Sequence, residues 1–528
     1  MKTVKRALAL VLALTLLLAM SATVFADDAP THTITISNTQ SGHTYEAYQV
    51  FKGNTRTVEA DGTQTTVLTD IAWGNGVDGT ALLDELKTLD AYKDCASAEA
   101  VADVLKGFKA KSSELDAFAK IVGRHLRTVA GTSTESASPY TINVTGDGYY
   151  LVKDRSVSEN QTATKYILEV LNDVQVAAKA DLPTIDKVIV NADSNNGSDG
   201  KGTAQDVGSA VQFKLTSTVP SMDGYDSYTY TVKDTLSDGL TFKENSVVIK
   251  IKGTAANTEV TLVKDTNYTV SASGQTFTID FTNFISQKSK AGQTIEITYS
   301  ATLNEKALSR DKETNTVHLE YSNDPNNSSS IGKTPDKTVY VYDFDIVVNK
   351  YTNNGENEKK LADAKFVLKK AGETDDVYYH WDDSTKTVSW VPVANAADLK
   401  TVDDWEKAGV TVAVTDSNGK TTFKGLDSGK YALVEIDAPN GYNLLKEPVD
   451  VEITVEYDAE TGKPKTTSAT AADNNGQYSQ TKSVENKSGA ELPSTGGIGT
   501  TVFYVLGGLL VVCAGVLLIT KRRMNKNA

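Results

Sequence analysis

From Ile498 to Ile519 the chain carries no charged residue, and Lys521, Arg522, Arg523 and Lys526 follow almost at once. The hydrocarbon core of a bilayer is ~30 Å thick and takes about 20 apolar residues as a helix, so the run is long enough to span one. The cations beyond it would hold that end in the cytoplasm. At the other end Lys2, Lys5 and Arg6 precede an apolar stretch from Ala7 to Ala19, and small residues close in Val24-Phe25-Ala26. These are the three regions of an export signal, with cleavage after Ala26. What lies between, residues 27–495, must fold outside the membrane and is long enough for about three ordinary domains.

That exported part cannot rely on disulfides. Cys513 lies in the apolar run, which leaves Cys95 alone and predicts a small buried residue rather than a covalent staple. The net charge of −15 is spread without runs, which argues against nucleic acid as a partner. Five histidines are scattered without ligand spacing, and DSNNGSDGKG (193–202) lacks the glutamate that would close a calcium loop. No metal and no cofactor is expected. The sequence has no HExxH and no nucleophile–His–acid set, so a turnover enzyme is not expected either.

Most of the chain alternates apolar and polar residues between Gly, Asn and Asp turns. Val211, Phe213, Leu215 and Val219 show the pattern, as do Ile295, Ile297 and Tyr299, and Val449, Val451, Ile453 and Val455. A period of two marks half-buried strands and predicts tandem immunoglobulin-like β-sandwiches. Helical periodicity is concentrated in the first part. Leu115, Phe118, Val122, Leu126 and Val129 share one face of a helix expected from Ser113 to about residue 130, with a second over 98–108. The expected fold is therefore mainly β, with an α+β first domain and a C-terminal transmembrane helix. The expected divisions are a signal peptide (1–26), domains at 27–180, 181–342 and 343–489, and a C-terminal signal with its span at 490–528.

Two sets of residues have an unusual combination of charge and parity. Lys187, Asp234 and Asn323 form one, and Lys350, Glu435 and Asn486 the other, with lysine and asparagine 136 positions apart in both. Alternate residues of a strand share a face. Lys187 shares its face with Ile185 and Ile189, Asp234 with Val232 and Tyr230, and Glu435 with Leu433 and Tyr431. All six polar groups are thus expected to point inward, where an isolated charge is very costly. Burial lowers a lysine's pKa and raises a carboxyl's. A neutral lysine can then attack the asparagine carboxamide, while Asp234 or Glu435 moves protons and ammonia leaves. The product is a Lys–Asn amide cross-link. The alternative is a pair of buried ion pairs, each with an asparagine nearby.

Several motifs resemble those of one protein family. LPSTG, formed by Leu492, Pro493, Ser494, Thr495 and Gly496 before the apolar run, resembles the sorting signal of Gram-positive surface proteins. YALVEIDAPNGY (431–442) resembles the E-box of collagen-binding-B-type domains, and VKDTLSDGL (232–240) with LEYSNDP (319–325) resembles the middle domain of shaft-forming pilins. The resemblance implies a major pilin of a sortase-assembled pilus, in which Thr495 is cut from Gly496 and joined to a lysine of the next copy. NDVQVAAKADLP (172–183) occupies the place of the pilin motif, with Lys179 as the acceptor, although Ala177-Ala178 replace its Tyr-Pro pair. In GDGYYLVKD (146–154) Lys153 stands where an E-box glutamate would be, so no cross-link is expected in the first domain. The implied partners are copies of the chain itself, pilus-specific and housekeeping sortases, peptidoglycan, minor pilins and host surface ligands. The alternative is a wall-anchored monomeric adhesin or minor pilin.

Overall fold

The computed structural model describes residues 30–489, apart from 39–40, 61–62, 109–112, 156, 158–164, 178–181, 193–199, 254–257, 326, 354–357 and 472–475, and residues 498–524. Ala26, Lys179 and the Leu492–Gly496 motif lie outside the described residues. The chain is mainly β.

The first part combines two sheets with helices. Thr31–Ser37 pairs antiparallel with Tyr140–Thr145 and parallel with Val174–Ala177. The second sheet is built on Tyr45–Ala60, flanked by Thr63–Trp73 and Gly148–Asp154. Helices Gly79–Leu86, Ala98–Leu105 and Ser113–Arg124 pack on it through a core that includes Leu82, Val101, Phe118 and Val122. The third helix stops short of the expected residue 130. Beyond it Leu126 bridges Val77, and the Arg127 amide donates to the Gly76 carbonyl. Strand-like pairing thus takes over the backbone groups a longer helix would need, and Val129 is left exposed. Helix Gly79–Leu86, capped by the Asp78 carboxylate, was not anticipated. Cys95 is buried.

A sandwich follows. One sheet runs in the order Glu259–Thr261, Leu240–Lys252, Thr294–Leu303, Ala210–Thr218, Ile185–Ile189. The facing sheet runs Gly202–Ala204, Lys337–Tyr342, Glu313–Ser322, Tyr230–Leu236, Thr276–Phe281, Tyr268–Ser273. Val211, Phe213 and Leu215 are all buried while their neighbours face outward, as the period of two requires. Ile185–Ile189 is an edge strand; Tyr230–Leu236 and Glu313–Ser322 lie side by side in the interior of the opposite sheet.

A second sandwich places Phe344–Asn353 between Lys420–Leu426 and Tyr478–Glu485. Its other sheet runs Thr387–Pro392, Val377–Asp382, Lys365–Lys370, Gly429–Asp437, Val449–Ile453. Its opening and closing long strands are parallel neighbours, with Lys350 opposite Val484. The two sandwiches meet through backbone bonds from Val207 N to Gly425 O and from Val388 N to Val207 O. The Asp206 carboxylate reinforces this contact by accepting from Trp390 Nε1 (2.8 Å) and Asp427 N (2.8 Å). Helix Ile498–Met524 contains a stretch, Tyr504–Arg522, long and apolar enough to cross a membrane.

Candidate functional sites: two buried lysine–acid–asparagine clusters

In the second sandwich Lys350, Glu435 and Asn486 come together in the interior. Lys350 Nζ lies 2.9 Å from Glu435 Oε1 and donates to Asn486 Oδ1. Asn486 Nδ2 donates to the same Glu435 Oε1 (3.0 Å), and Leu445 N donates to Oε2 (3.0 Å). Lys350 Nζ also lies 5.3 Å from the centre of the Phe366 ring. Each group is delivered by strand parity or by the residue just past a strand: Asn486 N donates to Tyr351 O directly after Tyr478–Glu485 ends. Loss of solvation depresses the Lys350 pKa, against the opposing pull of Glu435.

In the first sandwich Lys187 and Asp234 meet as expected, but the asparagine beside them is Asn315. Lys187 Nζ lies 2.7 and 2.8 Å from the two Asp234 carboxylate oxygens and 2.5 Å from Asn315 Oδ1. Asn323 is buried just past the far end of the same strand, where its backbone N–H donates to Ser330 O. Asn315 and Asn323 have the same parity, but eight residues of strand amount to about 26 Å. Register decides between them: Leu236 pairs with Asn315 and Asp234 with Val317, so Asn315 is the diagonal same-face neighbour of Asp234. The shared spacing of 136 residues therefore does not describe this cluster, whose lysine and asparagine are 128 apart.

Tyr299 completes the first cluster and was not singled out from the sequence beyond its place on a buried face. Its hydroxyl donates to Asp234 Oδ2 (2.6 Å) and accepts from Asn315 Nδ2 (2.8 Å). Phe213 stacks on its ring at 5.2 Å and Phe277 meets it edge-on at 5.0 Å. Lys187, Asp234, Asn315 and Tyr299 are all buried. Burial brings the Lys187 pKa down to about 8, with Asp234 opposing, and pushes the Asp234 carboxyl up. A proton moved from ammonium to carboxylate leaves both partners neutral, the form in which the amine is nucleophilic.

Elsewhere, Lys153 is only partly buried, with Nζ 5.5 Å from the Tyr48 ring centre. The buried ionisable pair nearby is His43–Asp154, at 2.9 Å. Lys201 has its ammonium on Asp186 (2.7 Å) and on the Lys187 carbonyl (2.7 Å). A groove of about 650 Å³ opens where the chain re-enters the described region after Lys179, lined by Leu182, Pro183, Ile185, Tyr321, Lys333 and Pro335 among others.

Three family models match successive stretches. The Gram-positive pilin backbone subunit 2, Cna-B-like domain covers 207–325, the SpaA prealbumin-like fold domain 345–468, and the LPXTG cell wall anchor motif 484–526. The trypsin-resistant surface T6 protein of Streptococcus pyogenes serotype M6 is 26% identical over 426 residues, covering 66% of this chain and 70% of its own length. Fimbrial subunit type 1 of Actinomyces viscosus is 24% identical over 490 residues, 84% of either chain. The solved structure of the T6 backbone pilin of serotype M6 Streptococcus pyogenes shares the fold with a TM-score of 0.50 at 18% identity, over 87% of this chain and 90% of that one. Tandem sandwiches ahead of a wall-anchor motif define a surface protein fixed to the Gram-positive cell wall. More narrowly, the matched stretches and the curated relatives are those of backbone pilins and fimbrial subunits of Gram-positive bacteria, a structural family.

Proposed function

We propose that this chain is the repeating shaft subunit of a covalent pilus that supports adhesion and colonisation. A sortase would cut between Thr495 and Gly496 and pass the Thr495 acyl group to Lys179 of the next copy, and the last subunit to a peptidoglycan amine. Donor and acceptor lie at different places on one chain, so copies add head to tail in an open, heterologous contact that propagates as a fibre. The proposed domains are 27–180, 181–342 and 343–489, which puts Lys179 at the first junction, close in sequence to the groove at Leu182–Ile185. Within each subunit, Lys187 would join Asn315 with Asp234 as the proton carrier, and Lys350 would join Asn486 with Glu435 in that role.

The observation that carries the self-linking part is the pair of buried clusters, each with a lysine amine against an asparagine carboxamide and a carboxyl beside both. Cross-linking removes the charge that makes such burial costly. Intact mass of the folded protein should fall short of its sequence by two ammonia units, and an unshifted mass would refute both bonds. Wall extracts should show a ladder of SDS-resistant species that disappears in Lys179→Ala, with monomer still on the wall. A ladder that persists moves the acceptor to another lysine, Lys165 or Lys201, and the absence of any ladder in the parent favours a monomeric adhesin.

A further inference from the structure

The two clusters solve the same proton-transfer problem with different parts. Amide exchange must take a proton from the attacking lysine and put one on the departing amide nitrogen. In the Lys350 cluster one oxygen, Glu435 Oε1, contacts both nitrogens, at 2.9 Å from Lys350 Nζ and 3.0 Å from Asn486 Nδ2. In the Lys187 cluster the acid is one methylene shorter, and both Asp234 oxygens are on Lys187 Nζ. The Asn315 nitrogen instead donates to the Tyr299 hydroxyl, which is hydrogen-bonded to Asp234 Oδ2. We propose that Tyr299 is a catalytic residue of the Lys187–Asn315 cross-link, relaying the Asp234 proton to the leaving nitrogen that the aspartate does not contact itself.

The step balances as follows. With Lys187 as the free amine and Asp234 as the acid, Nζ attacks Asn315 Cγ and a new C–N bond forms. In the planar amide Nδ2 can only donate, but in the tetrahedral adduct it acquires a lone pair and can accept. Asp234 Oδ2 then gives its proton to Tyr299 Oη as Tyr299 gives its own to Nδ2. The Cγ–Nδ2 bond breaks and ammonia leaves. The surplus proton on Nζ passes to Asp234 and restores its acid form, so both Asp234 and Tyr299 end unchanged. Burial, followed by the Asp234 charge, holds the Tyr299 pKa well above its usual value, so the hydroxyl keeps its proton at rest and acts only as a conduit. Stacking on Phe213 and edge contact with Phe277 hold the ring between its two partners.

This inference rests on the cross-linking reading above, and one experiment separates the two. Full-length chain is synthesised cell-free in detergent, sampled over time and digested. The Lys187–Asn315 and Lys350–Asn486 linked peptides are then quantified by mass spectrometry, the second serving as an internal clock for folding. In Tyr299→Phe the Lys350–Asn486 peptide should form as in the parent, while Lys187–Asn315 should slow by at least about a hundredfold, the low end for a lost acid–base group. Adding Asp234→Glu to Tyr299→Phe rebuilds the direct contact seen at Glu435 and should recover most of the rate. An unchanged rate in Tyr299→Phe overturns the relay. So does a slowing that the longer acid fails to relieve, which would assign the tyrosine to packing alone. A parent that makes Lys350–Asn486 but never Lys187–Asn315 would instead refute the cross-linking reading for that sandwich.

Discussion

Replacing Glu435 by alanine should leave a folded but much less durable second sandwich. Glu435 Oε1 bridges Lys350 and Asn486, so its removal should leave the two unjoined. The lysine and asparagine are 136 residues apart, and closing a loop of that size removes about 5 kcal/mol of unfolded-chain entropy by the relation used for disulfides. For a domain of this size 1 kcal/mol moves Tm by about 3 °C, so the variant's transition should fall by roughly 15 °C. Lys350, left buried without its carboxylate, can add to the loss. The assay is calorimetry of the exported region with trypsin digestion alongside, resolving the two sandwiches by the fragments released. The chain should regain one of its two missing ammonia units, and the trypsin lifetime of 343–489 should shorten while the first sandwich is unaffected. An equal Tm and lifetime for parent and variant would refute the claim that a covalent closure stabilises this sandwich.

Asn315→Ala should restore one ammonia unit to the mass, whereas Asn323→Ala should leave it unchanged; the opposite pattern would return the cross-link to Asn323. The second sandwich should gain stability in acid. Burial pushes Asp343 and Asp427 up to about 7 and Asp345 up to about 6. Carboxyls raised above their unfolded value of ~4 contribute stability that is complete below that value and lost as pH climbs through the folded pKa. Tm should therefore rise as pH falls from 8 to 5, and Asp343→Asn with Asp427→Asn should flatten that slope; a parent Tm independent of pH over that range would contradict it.

How far the sequence discloses this molecule depends on which physical rule each residue answers to. Alternation along a strand is local, so the inward direction of Lys187, Asp234, Lys350 and Glu435 is legible from their neighbours. The choice between Asn315 and Asn323 is not, because both have inward parity and only the pairing of Tyr230–Leu236 with Glu313–Ser322 places one of them beside Asp234. Tyr299 is hidden for a related reason: its alternation with Ile295 and Ile297 marks it as core, and nothing local tells a packing tyrosine from one whose hydroxyl has two partners. The short helix after Asp78 buries only Leu82 and Leu86, a single i,i+4 pair that sets no period. The end of Ser113–Arg124 is set by the bridge of Leu126 to Val77, a contact between segments about 50 residues apart.

The different placement of the two clusters gives the subunit an uneven reserve of length under load. In the second sandwich the joined residues would lie on parallel neighbouring strands, the opening one and the closing one. A pull entering near Phe344 would cross at Lys350 to Asn486 and leave at once, and the chain between them would contribute no slack. Unjoined, that loop could pay out about 450 Å at ~3.3 Å per residue. In the first sandwich the link would end at Asn315, upstream of Lys337–Tyr342. Residues 316–342 would stay in the line of force, held only by strand pairing and packing, and could release about 90 Å. Stretched hard enough, a fibre of such subunits would lengthen there first, by a fixed amount per copy, and then stop.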